Sequence, residues 1–262
     1  MELSESMKNI FHTYTFHEAK NIVICGDIHG EFNSLIYKLC IQYQLTDTLL
    51  IVAGDCGFGF EKPGYYEQVF NRNSSRLSKS NNWIVMMRGN HDDPTYFSEE
   101  KIKHQRFRTI PDYSVIQACG HNILCIGGAI SIDRTYRIER DSRHSASSVA
   151  SYWAEEKPIF NENALKNIGQ KFKIDTVVTH TSPSFCELIS KDGLSEWAQR
   201  DPNLPADCDH ERNTIDQIIK YLKANNHPLK HWYYGHFHQS WSSYIDGVLF
   251  SMLDIMEFKE LH

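Results

Sequence analysis

The sequence predicts an α/β protein built on a parallel β-sheet covered by helices. Short apolar runs at 21–25, 49–53 and 83–87 have the length of buried strands. Segments of helical period alternate with them, as in Phe32, Leu35, Ile36, Leu39 and Tyr43. Each run ends in glycine and polar side chains: Gly26-Asp27-Ile28-His29-Gly30, Gly54-Asp55-Cys56-Gly57 and Arg88-Gly89-Asn90-His91-Asp92. Strand–helix–strand alternation is the pattern of a parallel sheet. In such sheets, sites gather beyond the carboxyl ends of the strands.

In chain order, residues 1–20 are polar and mixed, a short strand or a loose arm. The first strand, 21–25, is followed by a helix over 31–43. The second, 49–53, leads into a Gly-rich aromatic loop and then a polar helix over 67–79. After the third strand, 106–110, 113–118 and 122–126 read as short strands joined by tight turns, a meander ending in Gly127-Gly128-Ala129. The arginine- and serine-rich stretch 131–156 has no clear period and reads as a surface excursion over the site. A short helix is expected over 161–170. The strand 174–178 ends in Thr179-His180-Thr181-Ser182-Pro183. Gly193, Pro202 and Pro205 make 191–207 a loop. Ile215, Ile218, Ile219 and Leu222 predict a helix over 208–225. The strand 231–234 runs into Gly235-His236-Phe237-His238. A hairpin of 241–245 and 248–253, turned by Asp246-Gly247, closes the chain. There is no repeat and no linker, so one domain is expected over 1–262, with the excursion at about 131–157.

The composition suits a globular protein: 262 residues, 41% hydrophobic and 23% charged. A net charge of −6 argues against general affinity for nucleic-acid backbones. No apolar run approaches the ~18 residues of a membrane span. The first residues lack the basic region and apolar core of a secretory signal. Seven cysteines include no Cys-x-x-Cys pair, which fits a reducing compartment and a cytoplasmic location.

Chemistry concentrates after the strands. Asp27, His29, Asp55, Asn90, His91, His180, His236 and His238 all follow apolar runs. Oxygen and imidazole donors without thiolate suit Mn, Fe, Zn, Co or Ni. So many donors are too many for one tetrahedral ion and suit two ions that share a carboxylate. Two adjacent metals clamp the attacking and leaving oxygens of a displacement at phosphorus and generate hydroxide near neutral pH.

This order of motifs resembles the calcineurin-like metallophosphoesterase superfamily. The matching residues are Gly26-Asp27-Ile28-His29, Gly54-Asp55, Gly89-Asn90-His91-Asp92, His180 and Gly235-His236-Phe237-His238, spanning about residues 21–240. The resemblance implies a four-layer α/β/β/α sandwich of two mixed sheets. It implies one metal held by Asp27, His29, Asp55 and His238, and a second held by Asp55, Asn90, His180 and His236, with Asp55 bridging. Manganese is the expected ion. The implied reaction is hydrolysis of a phosphomonoester or phosphodiester by a metal-bridging hydroxide. His91 resembles the histidine that contacts phosphate and protonates the leaving oxygen. Arg88 resembles the arginine that grips phosphate in the protein-phosphatase branch. Asp92 either orients His91 or caps the next helix.

Departures decide the branch. Protein phosphatases of this superfamily carry Gly-Asp-x-Val-Asp-Arg-Gly, and here the run is Gly54-Asp55-Cys56-Gly57-Phe58-Gly59-Phe60. Gly-His-x-His is typical of the generic phosphoesterase branch. A Ser/Thr-type protein phosphatase is therefore the alternative, followed by a nuclease or a non-catalytic scaffold. The expected substrate is a phosphorylated small molecule, a nucleotide or a phosphopeptide. Arg134, Arg137, Arg140 and Arg143 lie three apart. Arg134 and Arg137 are the candidates to bind a second phosphate or a nucleotide; a solvated helical face is the other reading. Tyr65, Tyr66, Tyr136 and Trp153 stack on a base or simply pack.

Overall fold

The computed structural model describes residues 11–143, 149–186 and 193–262. Two sheets stack face to face. One has five strands: β2 (Asn21–Cys25), β3 (Thr48–Val52), β4 (Trp83–Met86) and β5 (Phe107–Thr109) run parallel, and β12 (Phe258–Leu261) pairs antiparallel with β2. The other has seven, in the order β1 (Thr13–Thr15), β6 (Ser114–Ala118), β7 (His121–Ile126), β8 (Thr176–Thr179), β9 (His231–Tyr234), β11 (Val248–Met252), β10 (Trp241–Ile245). In it, β6–β7 and β10–β11 are antiparallel and the remaining pairs are parallel.

Three apolar layers hold this arrangement. Between the sheets, Ile22, Ile24, Leu49, Ile51 and Val85 meet Ile116, Ile123, Cys125, Val178 and Tyr233. Because side chains alternate across a strand, Val23, Leu50, Val52, Ile84 and Met86 point the other way. They pack beneath α1 (Phe32–Tyr37), α2 (Pro63–Lys79) and α3 (Thr95–Ser98). Leu124, Ile126, Val177 and Trp232 form the third layer with α5 (Glu162–Lys171) and α7 (Leu204–Ala224). The result is the four-layer α/β/β/α sandwich. Each fully buried Leu or Ile contributes on the order of 2 kcal/mol.

The structure corrects several expectations. A purely parallel sheet describes only the strands 21–109. The meander is not one: β5 pairs with β4, while β6 and β7 form a hairpin in the opposite sheet, so residues 110–113 carry the chain across the sandwich. The segment 131–156 contains a helix, α4 (Arg134–Arg143), none of whose residues is buried. Without an apolar stripe it has no period to read. Residues 144–148 of that segment lie outside the described residues. Residues 193–207 are not a loop: α6 spans Leu194–Ala198, and α7 begins at Leu204. Pro205 sits in its first turn, where a missing N–H costs nothing. β12, rather than the hairpin, ends the fold.

Candidate metal centre

The two sheets direct the carboxyl ends of β2, β3, β4, β8 and β9 toward one edge, and the turns after them converge there. Four of the residues in these turns have left-handed backbones: His29 (φ 45°), Asp55 (47°), His236 (68°) and His238 (51°). Non-glycine residues rarely accept that conformation, and such strain concentrates at functional sites. The motif glycines are required by close approach. A Cβ at Gly89 would overlap the Asp55 carboxylate, and one at Gly235 would overlap that of Asp27.

Asp27, His29, Asp55 and His238 bring one donor atom each to within 4.8 Å of one another, a group that could hold a metal ion. His29 Nε2 and His238 Nε2 face each other at 3.1 Å, and His238 Nε2 lies 3.0 Å from Asp27 Oδ2. Two imidazole nitrogens and a carboxylate aimed at one point are the donor set of a divalent cation. Asp27 Oδ1 also accepts the His236 backbone N–H, at 3.0 Å, which fixes the carboxylate.

Further candidate donors gather at Asp55 Oδ1. His180 is fully buried, and its Nδ1 donates to the Ala53 carbonyl at 2.7 Å. That bond turns Nε2 toward Asn90 Oδ1, at 3.0 Å, and Asp55 Oδ1, at 3.2 Å. A backbone acceptor on the outer nitrogen is the usual device for aiming a ligand histidine. His236 packs edge-on against His180, with ring centroids 5.1 Å apart. Burial and the positive charges around His236 hold its imidazole well below the usual range. His180 beside Asp55 and Asp27 is pushed the other way despite its burial, to about 10. The carboxyl of Asp55 is held well below the usual range by His180, His91 and His29, which outweigh its burial.

His91 stands at the rim. Its Nδ1 is 3.7 Å from Asp55 Oδ2 and 3.5 Å from Arg137 Nη2. A guanidinium only donates, so this contact favours the tautomer with hydrogen on Nε2. Burial, with the Arg137 charge assisting, lowers the His91 pKa.

Arg88 does not reach the site as a phosphate grip. It is 6% exposed, and all its donors are engaged. Nε and Nη2 donate to Asp112 Oδ2 at 2.9 and 2.8 Å, and the remaining bonds run to the carbonyls of Glu155, Glu156 and Lys157. Arg88 staples the 155–157 segment to the end of β4. Asp92 also takes a different part. Its two oxygens accept the backbone N–H groups of Cys56, Gly57, Phe58 and Gly89 at 2.7–3.0 Å. It neither orients His91 nor caps α3, whose Thr95 N–H bonds Asp93 instead. Asp92 thus locks the turn that carries Asp55 to the turn that carries Asn90. Arg134 is neutralised by Asp201 and Asp207, both at 2.6 Å. Arg137 contacts the site residue His91, and Asp133 holds its Nε at 2.7 Å. Tyr66 is packing: it is fully buried and hydrogen-bonded to the 57–61 turn.

Residues with no announcing motif complete the site. Asn90 Nδ2 donates to Ser131 Oγ at 2.9 Å, and Ser131 Oγ donates to Glu156 Oε2 at 2.6 Å. A cavity of about 520 Å³ opens beside Asn90, His91 and His236, and Trp197, Phe237 and Arg212 contribute to its wall. Ser131, Glu156 and Trp197 come from segments without period, so nothing in the sequence singled them out.

The calcineurin-like phosphoesterase family model matches residues 20–240. No curated protein sequence matches. One solved crystal structure is similar in fold at 12% identity, with a TM-score of 0.51, over 92% of this chain and 98% of that one. Another, phosphopantetheinyl hydrolase from Mycobacterium tuberculosis, aligns at 15% identity with a TM-score of 0.44, over 90% of this chain and 89% of that one. Among the described residues no helix is long and apolar enough to cross a membrane.

Proposed function

Since this chain belongs to the calcineurin-like phosphoesterase family, and is thereby a metal-dependent phosphoric ester hydrolase, we propose that it works through two divalent ions sharing Asp55 and acts on small phosphomonoesters or phosphodiesters. The observation that carries this reading is the cluster of Asp27, His29, Asp55 and His238, with His180 reaching the same Asp55 and packed against Asn90 and His236.

In this reading Asp27, His29 and His238 hold one ion with Asp55. Asn90, His180 and His236 hold the other. When bound, two such ions supply an activated water and neutralise charge on the phosphoryl oxygens; manganese is the ion we expect. The chain's own residues do the rest. Asp55 spaces the two ligand groups. Asn90 offers its amide oxygen because Ser131 takes its N–H. His91, with hydrogen on Nε2, donates a hydrogen bond to the phosphoryl group, and in its imidazolium form gives the Nε2 proton to the leaving oxygen. Arg137 holds the His91 ring and adds positive charge beside it. The enclosed Arg88 loses the phosphate contact that favoured a protein phosphatase, so a small-molecule ester is the better substrate reading.

The test is a parallel assay of the Mn²⁺-loaded protein on p-nitrophenyl phosphate, bis-p-nitrophenyl phosphate, a phosphoserine peptide and a cyclic nucleotide. Chelator should abolish turnover and Mn²⁺ restore it. His91→Ala should lower kcat by roughly a hundredfold or more with metal still bound. Retained turnover in chelator, or in His91→Ala, would refute the mechanism.

A further inference from the structure

The cavity beside the metal centre has a wall that the hydrolytic reading leaves unused. Phe237 lies between the two ligand histidines His236 and His238, so the cavity begins at the reacting centre. From there it is bounded by Ile132, by Leu194 and Trp197 of α6, and by Cys208 of α7. Trp197 is half-buried. Its nearest ring partner, Tyr136, is 6.4 Å away, and Arg200 sits 5.7 Å from its centroid. An indole presented to a cavity of about 520 Å³ is suited to stacking on another flat ring.

Two of the three arginines around the same space are already paired with carboxylates. Arg134 is held by Asp201 and Asp207. Arg137 is held by Asp133, itself a wall residue. Arg212 turns one guanidinium nitrogen to the carbonyls of Pro183, Ser184 and Cys186. Against these stands Asp209, which is exposed and makes no ion pair among the described residues; Glu211, buried in the wall, accepts the Ile130 N–H, and burial pushes its carboxyl up to about 7. A charge near a substrate's leaving group disfavours leaving groups of the same sign.

We propose that this cavity is the leaving-group subsite, and that it selects phosphoesters of uncharged aromatic alcohols over those of anionic ones. The proposal rests on the hydrolytic reading above for the direction in which the ester lies. The phosphoryl group faces the ligand cluster and His91, and the alcohol extends past Phe237 onto Trp197. Hydrolysis adds water across the phosphorus–oxygen bond, and the alcohol leaves through this cavity with the proton from His91.

The experiment compares kcat/KM of the Mn²⁺-loaded protein on 1-naphthyl phosphate, glycerol 2-phosphate and 2-phosphoglycerate, for the native chain and for Trp197→Ala and Leu194→Ala. Aryl esters are intrinsically more reactive, so the deciding quantity is the change on substitution. Trp197→Ala should cost the naphthyl ester about tenfold more than it costs the glycerol ester, chiefly in KM. The carboxylate of 2-phosphoglycerate should make it the poorest substrate. Equal losses on naphthyl and glycerol esters, or preference for 2-phosphoglycerate, overturn the proposal. Calorimetric binding of naphthyl- and methylphosphonate provides a readout without turnover. If no ester is hydrolysed but the naphthyl compound binds more tightly and loses that advantage in Trp197→Ala, the subsite stands and the hydrolytic reading falls. If the two phosphonates bind equally, the subsite falls.

Discussion

The Asn90 amide nitrogen donates to the Ser131 hydroxyl at 2.9 Å, and this one bond decides which end of the amide faces the ligand cluster. Ser131 is itself fixed: its hydroxyl donates to Glu156 at 2.6 Å and its backbone N–H to the other Glu156 oxygen at 3.1 Å. Asn90 Oδ1 is thereby turned to His180 Nε2 at 3.0 Å.

Ser131→Ala removes the acceptor and leaves the amide free to rotate. Loss of such an outer partner typically costs a metal site tenfold or more in affinity. The metal needed for half-maximal activity should rise roughly tenfold, with kcat at saturating metal changed less. Titration of the metal-free protein with Mn²⁺ measures this directly. An unchanged midpoint would mean that Asn90 is oriented by something else.

Arg88 distinguishes a structural from a catalytic arginine. It is buried against Asp112 and three carbonyls, so Arg88→Lys keeps the charge but cannot fill the fork. The expected loss is about 3 kcal/mol of stability, as for other broken buried pairs. Urea unfolding gives that figure. KM, measured well below the melting temperature, should shift less than threefold or so. A large rise in KM with normal stability would restore the phosphate-gripping role.

His227 predicts part of the acid sensitivity. Its Nδ1 accepts the Ile174 N–H at 2.9 Å, Gly169 packs against its Nε2, and Lys173 is the charged neighbour that disfavours protonation. Burial first, and then Lys173, lowers its pKa below the usual 6.5. The sign follows from a depressed folded value. The contribution to stability is complete above 6.5 and is lost as pH falls through the folded pKa. His227→Asn keeps an acceptor near the Ile174 N–H but cannot titrate. Its unfolding free energy should fall less than the native protein's between about pH 7.5 and about pH 5.5. Equal slopes would show that other groups carry the effect.

The convergence of the candidate ligands was legible because each follows an apolar run, and a buried strand pins whatever comes directly after it. Asp27, Asp55, Asn90, His180 and His236 inherit their positions from β2, β3, β4, β8 and β9 in that way. Arg88 and Asp92 lie in the same motif, but the partners they bind in the structure are distant in sequence. Asp112 and the 155–157 carbonyls are brought to Arg88 only by folding, and the N–H groups of 56–58 are brought to Asp92 likewise.

Local periodicity and motif spacing determined by themselves the strand–helix alternation and the turns that carry the candidate ligands. They are short-range properties, set within about ten residues of chain. Only the tertiary structure decided that β5 and β6 belong to opposite sheets, that Arg134 is spent on Asp201 and Asp207, and that Trp197 borders the cavity. Those outcomes depend on which surfaces meet when the two sheets stack and the helices close over them, and a polar helix such as α4 carries no apolar stripe that announces its partner in advance.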